Sequence, residues 1–324
     1  MIEILRKYWF LAGLGIVFAL VVVDPTDSVA AAGQWLRSVH GPDMIIFLIF
    51  LVQGFLLSPR QIRSGLTDGV ATVLAVLLIF VMAPLYAGVM SFLPVSTGVL
   101  IGLFLVAVMP TTMSSGVVMT GASGGNPAHA LFVSVITNSM ATLTIAITLP
   151  LLLALTGETA AVRLDSLSMI FKIAWSVLLP LLAGIGARAM AGHIHAVTAR
   201  RLSMSNQVLI LIVVWIGVAQ AKPVLMGAWL AAAQIAVLVL AFHLVMLATG
   251  FGVTRLFSLG RGRMESVIFM GSQKTLPLSI ILQVNLFPEY GQALIVCVLH
   301  HLVSLFVDGF LVGRLGQRQK TDAV

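Results

Sequence analysis

Charge is what this chain has least of. Only 9% of its 324 residues are Asp, Glu, Lys or Arg, against ~25% in an ordinary soluble domain. That excludes a solvated globular surface. With 60% hydrophobic residues and a mean hydropathy of +1.10, the chain reads as a polytopic membrane protein. Cysteine is nearly absent: the single Cys297 excludes an internal disulfide and a thiolate metal cluster. Catalytic signatures are missing too. There is no HExxH, GxSxG or Walker loop. The glycine-rich Gly121-Ala122-Ser123-Gly124-Gly125-Asn126 has no lysine after it, so ATP-driven transport has no support and no enzyme is expected. A secretory cleavage site is lacking, because the apolar run after Lys7 ends in Asp24-Pro25-Thr26-Asp27. The net charge of +7 does not point to nucleic acid, since the basic residues lie in short loops between apolar runs.

What is present is a series of apolar runs that cross a bilayer alone or when tilted within a bundle. Ten are expected: residues 8–23, 42–57, 69–93, 97–122, 127–155, 167–190, 205–221, 227–257, 264–287 and 291–315. With ten spans both termini fall on one side. That side receives thirteen of the 18 basic residues, Arg60, Arg200, Arg261 and Arg314 among them; the other receives Arg37, Arg163 and Lys222, with Lys172 near it. The positive-inside rule then puts both termini in the cytoplasm, and the expected setting is the cell's inner (plasma) membrane. Five spans precede the 156–166 loop and five follow it. An odd number per half inverts the second half relative to the first, the plan of many secondary transporters. The expected repeats are residues 1–155 and 167–315.

Inverted repeats predict that the fourth and ninth spans are both irregular. The fourth holds Pro110-Thr111-Thr112-Met113-Ser114-Ser115-Gly116 and the ninth holds Gly271-Ser272-Gln273-Lys274-Thr275-Leu276-Pro277. Proline and glycine break the helix, and hydroxyls and amides re-satisfy the freed backbone. Free N–H groups at the new helix ends favour anions and free carbonyls favour cations. A charge at the bilayer centre costs ~2.5–3.5 kcal/mol on insertion scales, so Lys274 faces protein, water or a ligand. Three readings stand for it: snorkelling to the interface, pairing with an acid or standing where a bound cation would, and meeting an anionic substrate. Within the fifth span Ser134, Thr137 and Asn138 lie close enough along the helix to face the breaks. In the tenth, His301 and Asp308 are seven apart and share a face. His243 and Gln53 read as structural.

These motifs carry a family likeness over nearly the whole chain. Pro110-Thr-Thr-Met-Ser-Ser-Gly-Val-Val-Met-Thr with Gly124-Gly-Asn126, then Gly271-Ser-Gln-Lys-Thr-Leu, then Val298-Leu-His300-His resemble the bile acid:sodium symporter superfamily (solute carrier family 10). The nearer likeness is to the divergent branch of YfeH-like bacterial proteins and the vertebrate seventh member. The resemblance implies an all-α polytopic membrane protein of ten transmembrane helices, in two inverted five-helix repeats with broken, crossed fourth and ninth helices. It also implies a panel domain of spans 1, 2, 6 and 7 and a core domain of spans 3–5 and 8–10. Ser114, Ser115, Ser134 and Gln273 fall on sodium ligands, and Asn138 joins them as a cation-site candidate. His300 falls near the substrate, and Thr111, Thr112, Lys274 and Thr275 complete the substrate-binding set. Two positions depart from the family pattern. Phe269 stands where the typical symporter has a glutamate, and Lys274 where it has an asparagine.

The expected function is secondary active transport of a small organic anion by alternating access, with Lys274 replacing one sodium. Na⁺ or H⁺ is the coupling ion and no other cofactor is implied. The lipid bilayer is the surrounding partner, and no obligate protein partner is evident. A second reading is a membrane regulator of ion homeostasis that transports little or nothing.

Overall fold

Helix is the only regular structure among the described residues, as a bilayer demands of a backbone that cannot leave N–H and C=O groups unpaired in hydrocarbon. The structure, a computed structural model, describes residues 2–57, 68–156, 166–192, 194–227 and 229–321. The loop carrying Arg60 and Arg63, and the link between the halves with Glu158, Arg163 and Asp165, lie outside the described residues.

Helix α1 (Ile2–Val23) leads through a tight turn into α2 (Ser28–Ser38), bent from it by 108°. The Asp24 carboxylate holds the turn by accepting the Thr26 hydroxyl at 2.6 Å and the Val29 N–H at 2.8 Å. Then come α3 (Gly41–Leu56) and α4 (Gly69–Met90). Asp68 caps α4 by accepting the Ala71 N–H at 3.1 Å. The fourth apolar run is two helices, α5 (Thr97–Val108) and α6 (Ser115–Ala122). After a turn, α7 (Pro127–Leu153) starts with Asn126 as its cap and Pro127 at its first position. Next are α8 (Ser166–Ile173, continuing through Leu179–Ala191), α9 (Ala196–Gly227) and α10 (Trp229–Leu256). The ninth run is again two helices, α11 (Met264–Ser272) and α12 (Leu276–Leu286), and α13 (Gly291–Thr321) closes the chain.

Counting α11 and α12 as one span, seven helices among the described residues are long and apolar enough to cross a membrane, or eight if α1 and α2 form one bent span. Helices α3 and α5 are apolar but shorter. Helix α9 begins well before the run expected at 205–221, because its first two turns are polar yet helical. Lipid-facing stripes are plain on the outer helices: Val73, Leu77, Leu85 and Val89 of α4 recur at helical spacing and are 44–66% exposed. The α11–α12 segment is the opposite: residues 265–284 are all buried in protein.

The closest contacts gather the helices into two groups, which meet where α9 packs on α12 and α13 and where α7 packs on α8. Helices α3 and α8 make one close pair, and α9 packs on α1, α2 and α3. The α3–α8 approach depends on glycine: a Cβ on Gly54 would lie 2.2 Å from Leu181 O, and one on Gly184 would lie 2.2 Å from Leu51 O. In the other group α13 packs on α5 and α10, and α11 packs on α4, α6 and α10. Arg263 ties the start of α11 to the start of α4 through a two-pronged ion pair with Asp68, its Nη2 2.7 Å from Oδ1. That guanidinium holds the Asp68 carboxyl below its ordinary range, against the opposing effect of burial.

Candidate functional site

The two breaks meet. Residues 109–114 between α5 and α6 and residues 273–275 between α11 and α12 are non-helical. The Thr275 N–H donates to Pro110 O at 3.0 Å, and the Ser115 hydroxyl donates to Gln273 Oε1 at 2.7 Å. Proline explains the first break: Pro110 has no N–H and biases Met109 to the extended backbone observed there (ψ 146°). At the second, Gln273 and Thr275 are extended, and Pro277 sits in the first turn of α12, where its missing N–H is harmless.

Lys274 is buried, 3% exposed, and its ammonium is fully engaged. Nζ donates to Ile79 O at 2.9 Å, Ala107 O at 3.0 Å and Met109 O at 3.0 Å. Each of these acceptors has a local reason to be free. Helix α4 widens at Leu78–Met82 into a π turn, in which Ala83 N–H reaches back to Leu78 O. The next residue, Pro84, has no N–H to give Ile79 O in that register. Ala107 lies in the last turn of α5, whose carbonyls have no intrahelical partner, and Met109 lies just beyond it. A cation there also sits at the negative end of the α5 dipole. A Cβ on Gly271 would meet Leu78 Cδ1 at 2.7 Å, so glycine lets α11 come this close to the π turn.

A cavity of about 350 Å³ opens beside the breaks, between the two helix groups. On one side are Gln53 of α3 and Ser203, Asn206 and Gln207 of α9; on the other are Thr112, Ser114, Ser115 and Thr275 of the breaks, with His301 of α13. Among the described residues none that lines it is Asp, Glu, Lys or Arg. The first residues of α6 and α12, Ser115 and Leu276, form part of the wall, so two helix N-termini open onto it.

The structure distributes the expected site residues in three places. Thr112, Ser114, Ser115 and Thr275 line the cavity. Ser134 and Asn138 brace the first break from α7: the Ser134 hydroxyl donates to Thr112 O at 3.4 Å and the Asn138 amide to Thr111 O at 3.1 Å. Thr111, Lys274 and His300 do not line the cavity. For Lys274 the reason is its carbonyl cage; for His300 it is rotation about the helix axis, which turns the neighbouring His301 to the cavity instead. His300 is 1% exposed, its ring edge-on to those of Phe242 and His243 at 5.7 Å between centroids.

Gln273 joins the breaks to a pair that sequence reasoning left as separate helix residues. Its amide donates to Asp308 Oδ2 at 2.8 Å and to Met119 Sδ at 2.9 Å. Asp308 Oδ1 lies 2.9 Å from His243 Nε2, and both side chains are wholly buried. Sixty-five residues separate that pair, so no local spacing announces it. A polar residue deep in an apolar run was the available signal, present at both positions. Ser203 lies in the polar end of α9, before the run expected at 205–221, and Asn206 and Gln207 open that run as its most polar residues, so none of the three stood out in the sequence.

The family description that matches this chain over residues 8–317 is the SBF-like CPA transporter family. The chain is similar to a probable sodium/metabolite cotransporter, BASS4, chloroplastic, of Oryza sativa subsp. indica, at 28% identity over 93% of this chain and 74% of that one. It is similar to sodium/bile acid cotransporter 7-A of Xenopus laevis at 30% identity over 57% of this chain and 53% of that one. An uncharacterized protein of Pseudomonas aeruginosa is 25% identical over 95% of this chain and 92% of its own length.

Proposed function

Since the chain belongs to the SBF-like CPA transporter family, a family of transporters rather than enzymes, we propose that it is a secondary active transporter of a small organic anion working by alternating access. The cavity where two interrupted helices meet carries this reading. It lies between α3 and α9 on one side and the breaks with α13 on the other, where relative movement of the two helix groups would open it to one side and then the other.

In this reading the apolar runs form ten spans in two inverted repeats. Helices α3 and α5 make short crossings within the bundle, and α1 with α2 forms the bent first span. Helices α1, α2, α3, α8 and α9 are the panel; the rest are the core. Both termini are cytoplasmic and the protein sits in the inner membrane, which the loop-charge bias supports. The N-termini of α6 and α12 meet the anion. Thr112 and Thr275 line its path, with Thr111 and His300 supporting them from behind. Ser114, Ser115, Ser134, Asn138 and Gln273 form the cation-binding side.

Lys274 does not touch the substrate. It replaces one cation: an ammonium held by three carbonyls at 2.9–3.0 Å occupies the kind of oxygen cage a monovalent ion would. The position where the family pattern has a glutamate is Phe269, apolar and fully buried, so no carboxylate there favours a second sodium. The relatives' names support Na⁺ as the coupling ion at what remains. Reconstituted protein tests the function. Labelled mono- and dicarboxylates should accumulate in proteoliposomes under an inward Na⁺ gradient, saturably and only where protein is present. Accumulation under a proton gradient alone would reassign the coupling ion. No accumulation of any anion under either gradient would refute transport.

A further inference from the structure

The cavity lies toward one end of α3 and α9, and the two helix groups are closed together at the other. Its walls include Gln53 of α3 and Gln207 of α9. Asp43 comes ten residues before Gln53, and Gln220 thirteen after Gln207, so they stand about 15 and 20 Å further along the helix axes at 1.5 Å per residue. At that far end α12 is packed by both α3 and α9. Helix α9 presents Gly217 there: a Cβ on it would lie 3.1 Å from Leu294 Cδ1 of α13 and 3.4 Å from Ile280 Cγ2 of α12. Ile280 is 1% exposed.

Two polar contacts fasten the closed end. Arg37 of α2 is held on its own group by Gln220, whose amide oxygen accepts from Nε at 2.9 Å and from Nη1 at 3.0 Å. The remaining nitrogen, Nη2, crosses to the other group and donates to Val284 O of α12 at 2.9 Å. That carbonyl is free for a local reason. Its helical partner would be the N–H of residue 288, which is Pro288 and has none. The guanidinium also sits at the negative end of the α12 dipole. One residue on, the Asn285 amide donates to Asp43 Oδ1 of α3 at 3.2 Å. Arg37, Asp43, Gln220 and Asn285 are all partly exposed, so water takes each partner's place if the groups part, and parting leaves no buried orphan. The opposite end of α12 is the second break, where Thr275 and Leu276 line the cavity. One 11-residue half-helix therefore has one end in the site and the other in the seal.

We propose that Arg37 and Asp43 are the gate of this protein: their contacts with Val284 O and Asn285 seal the end of the helix groups opposite the cavity, and break when the cavity opens to that side. The inference rests on the transporter reading and deepens it by assigning residues to one of its two closures. With both termini cytoplasmic, the sealed end faces outward. Removing a gate contact destabilises only the closed arrangement, because in the open one both partners are already on water. The populations of the two arrangements then shift by the whole of the lost interaction.

Thiol accessibility tests this. In a Cys297→Ala background, Ile280→Cys reports on the sealed end and Ser203→Cys on the cavity. Each full-length protein, in lipid nanodiscs, is treated with 2-(trimethylammonium)ethyl methanethiosulfonate, and the rate of thiol modification is followed. Ser203→Cys should react readily and Ile280→Cys slowly. Adding Arg37→Ala should speed Ile280→Cys at least about tenfold, the scale of one hydrogen bond to a charged group. It should not speed Ser203→Cys, whose end is already open and closes as the other opens. Asp43→Ala should act in the same sense by a smaller factor, and it decides the matter if Arg37→Ala fails to fold. A contact that merely held the fold together would, once lost, speed both thiols or neither, and either result overturns the proposal. So does an Ile280→Cys that reacts as fast as Ser203→Cys with the gate intact. Uptake in proteoliposomes separates the two claims. Labelled carboxylates carried by a protein whose Ile280→Cys rate ignores both substitutions leave transport standing and remove the gate. The expected rates with no carboxylate carried under either gradient do the reverse.

Discussion

Replacing Lys274 with methionine keeps a flexible stem of similar length and removes the ammonium. Three carbonyl oxygens, Ile79 O, Ala107 O and Met109 O, then lose their donor. Hydrogen bonds to a charged group contribute about 1.5–3 kcal/mol each, so the gross loss is roughly 4.5–9 kcal/mol. Against that, the variant no longer buries a charge, a relief of several kcal/mol. The net is a destabilisation of roughly 2–4 kcal/mol, because three orphaned carbonyls outweigh one relieved desolvation. If the ammonium stands where a cation would, the variant also acquires an empty oxygen cage. Sodium should partly refill it, and at ten times its Kd a bound ion restores about 1.4 kcal/mol. The assay is thermal unfolding of wild type and Lys274→Met in choline chloride and in sodium chloride of equal ionic strength. The variant should unfold lower in choline and recover more with sodium than the wild type gains. A variant as stable as wild type in choline would refute the energetic account. A variant whose sodium response is no larger than the wild type's would refute the cation-replacement account.

Three further outcomes follow from the packing and the charge pairs. Asp308→Ala should destabilise the protein by about 3–5 kcal/mol in denaturant titrations, since it strips a wholly buried partner from both His243 and Gln273. Gly54→Val should cost about 1–3 kcal/mol or more and part α3 from α8, because its Cβ would lie 2.2 Å from Leu181 O; a cysteine cross-link between the two helices that still formed would contradict this. Asp68→Asn should cost no more than about 1 kcal/mol at neutral pH, the pair with Arg263 being partly exposed. The Asp68 carboxyl is depressed in the folded state, so its contribution is complete above the ordinary carboxylate range and is lost as pH falls through the lower folded value. The gap between wild type and Asp68→Asn should therefore close in acid, below about pH 4, and a gap constant across pH would exclude the ion pair as its cause.

Much of the scaffold was legible in the residues. Long apolar runs without charge must be helices in a bilayer, and only helices appear among the described residues. Pro110 and the Gly271–Pro277 segment named both interruptions, because proline removes a donor wherever it stands. Asn126 before Pro127 announced the start of α7 for an equally local reason. The candidate site was legible only in its backbone neighbourhood. Ser115, Gln273 and Thr275 come together because the breaks touch, while His300 turns away and His301 faces the cavity, a difference of one residue on a helix whose rotation the tenth run alone does not reveal.

Lys274 divides the two kinds of knowledge most clearly. The sequence by itself determined that a lysine stands in a broken helix at membrane depth, where it needs partners. It could not say which, because its acceptors are backbone carbonyls, which every residue carries and no side-chain pattern marks. Only the tertiary structure decided that the π turn at Leu78–Met82 and the C-terminal end of α5 bring three unpaired carbonyls to one point. The same holds for Asp308 and His243, and for the polar face of α9. Their partners are remote in the chain, and contact between remote residues is set by how helices pack, not by what lies beside them in sequence.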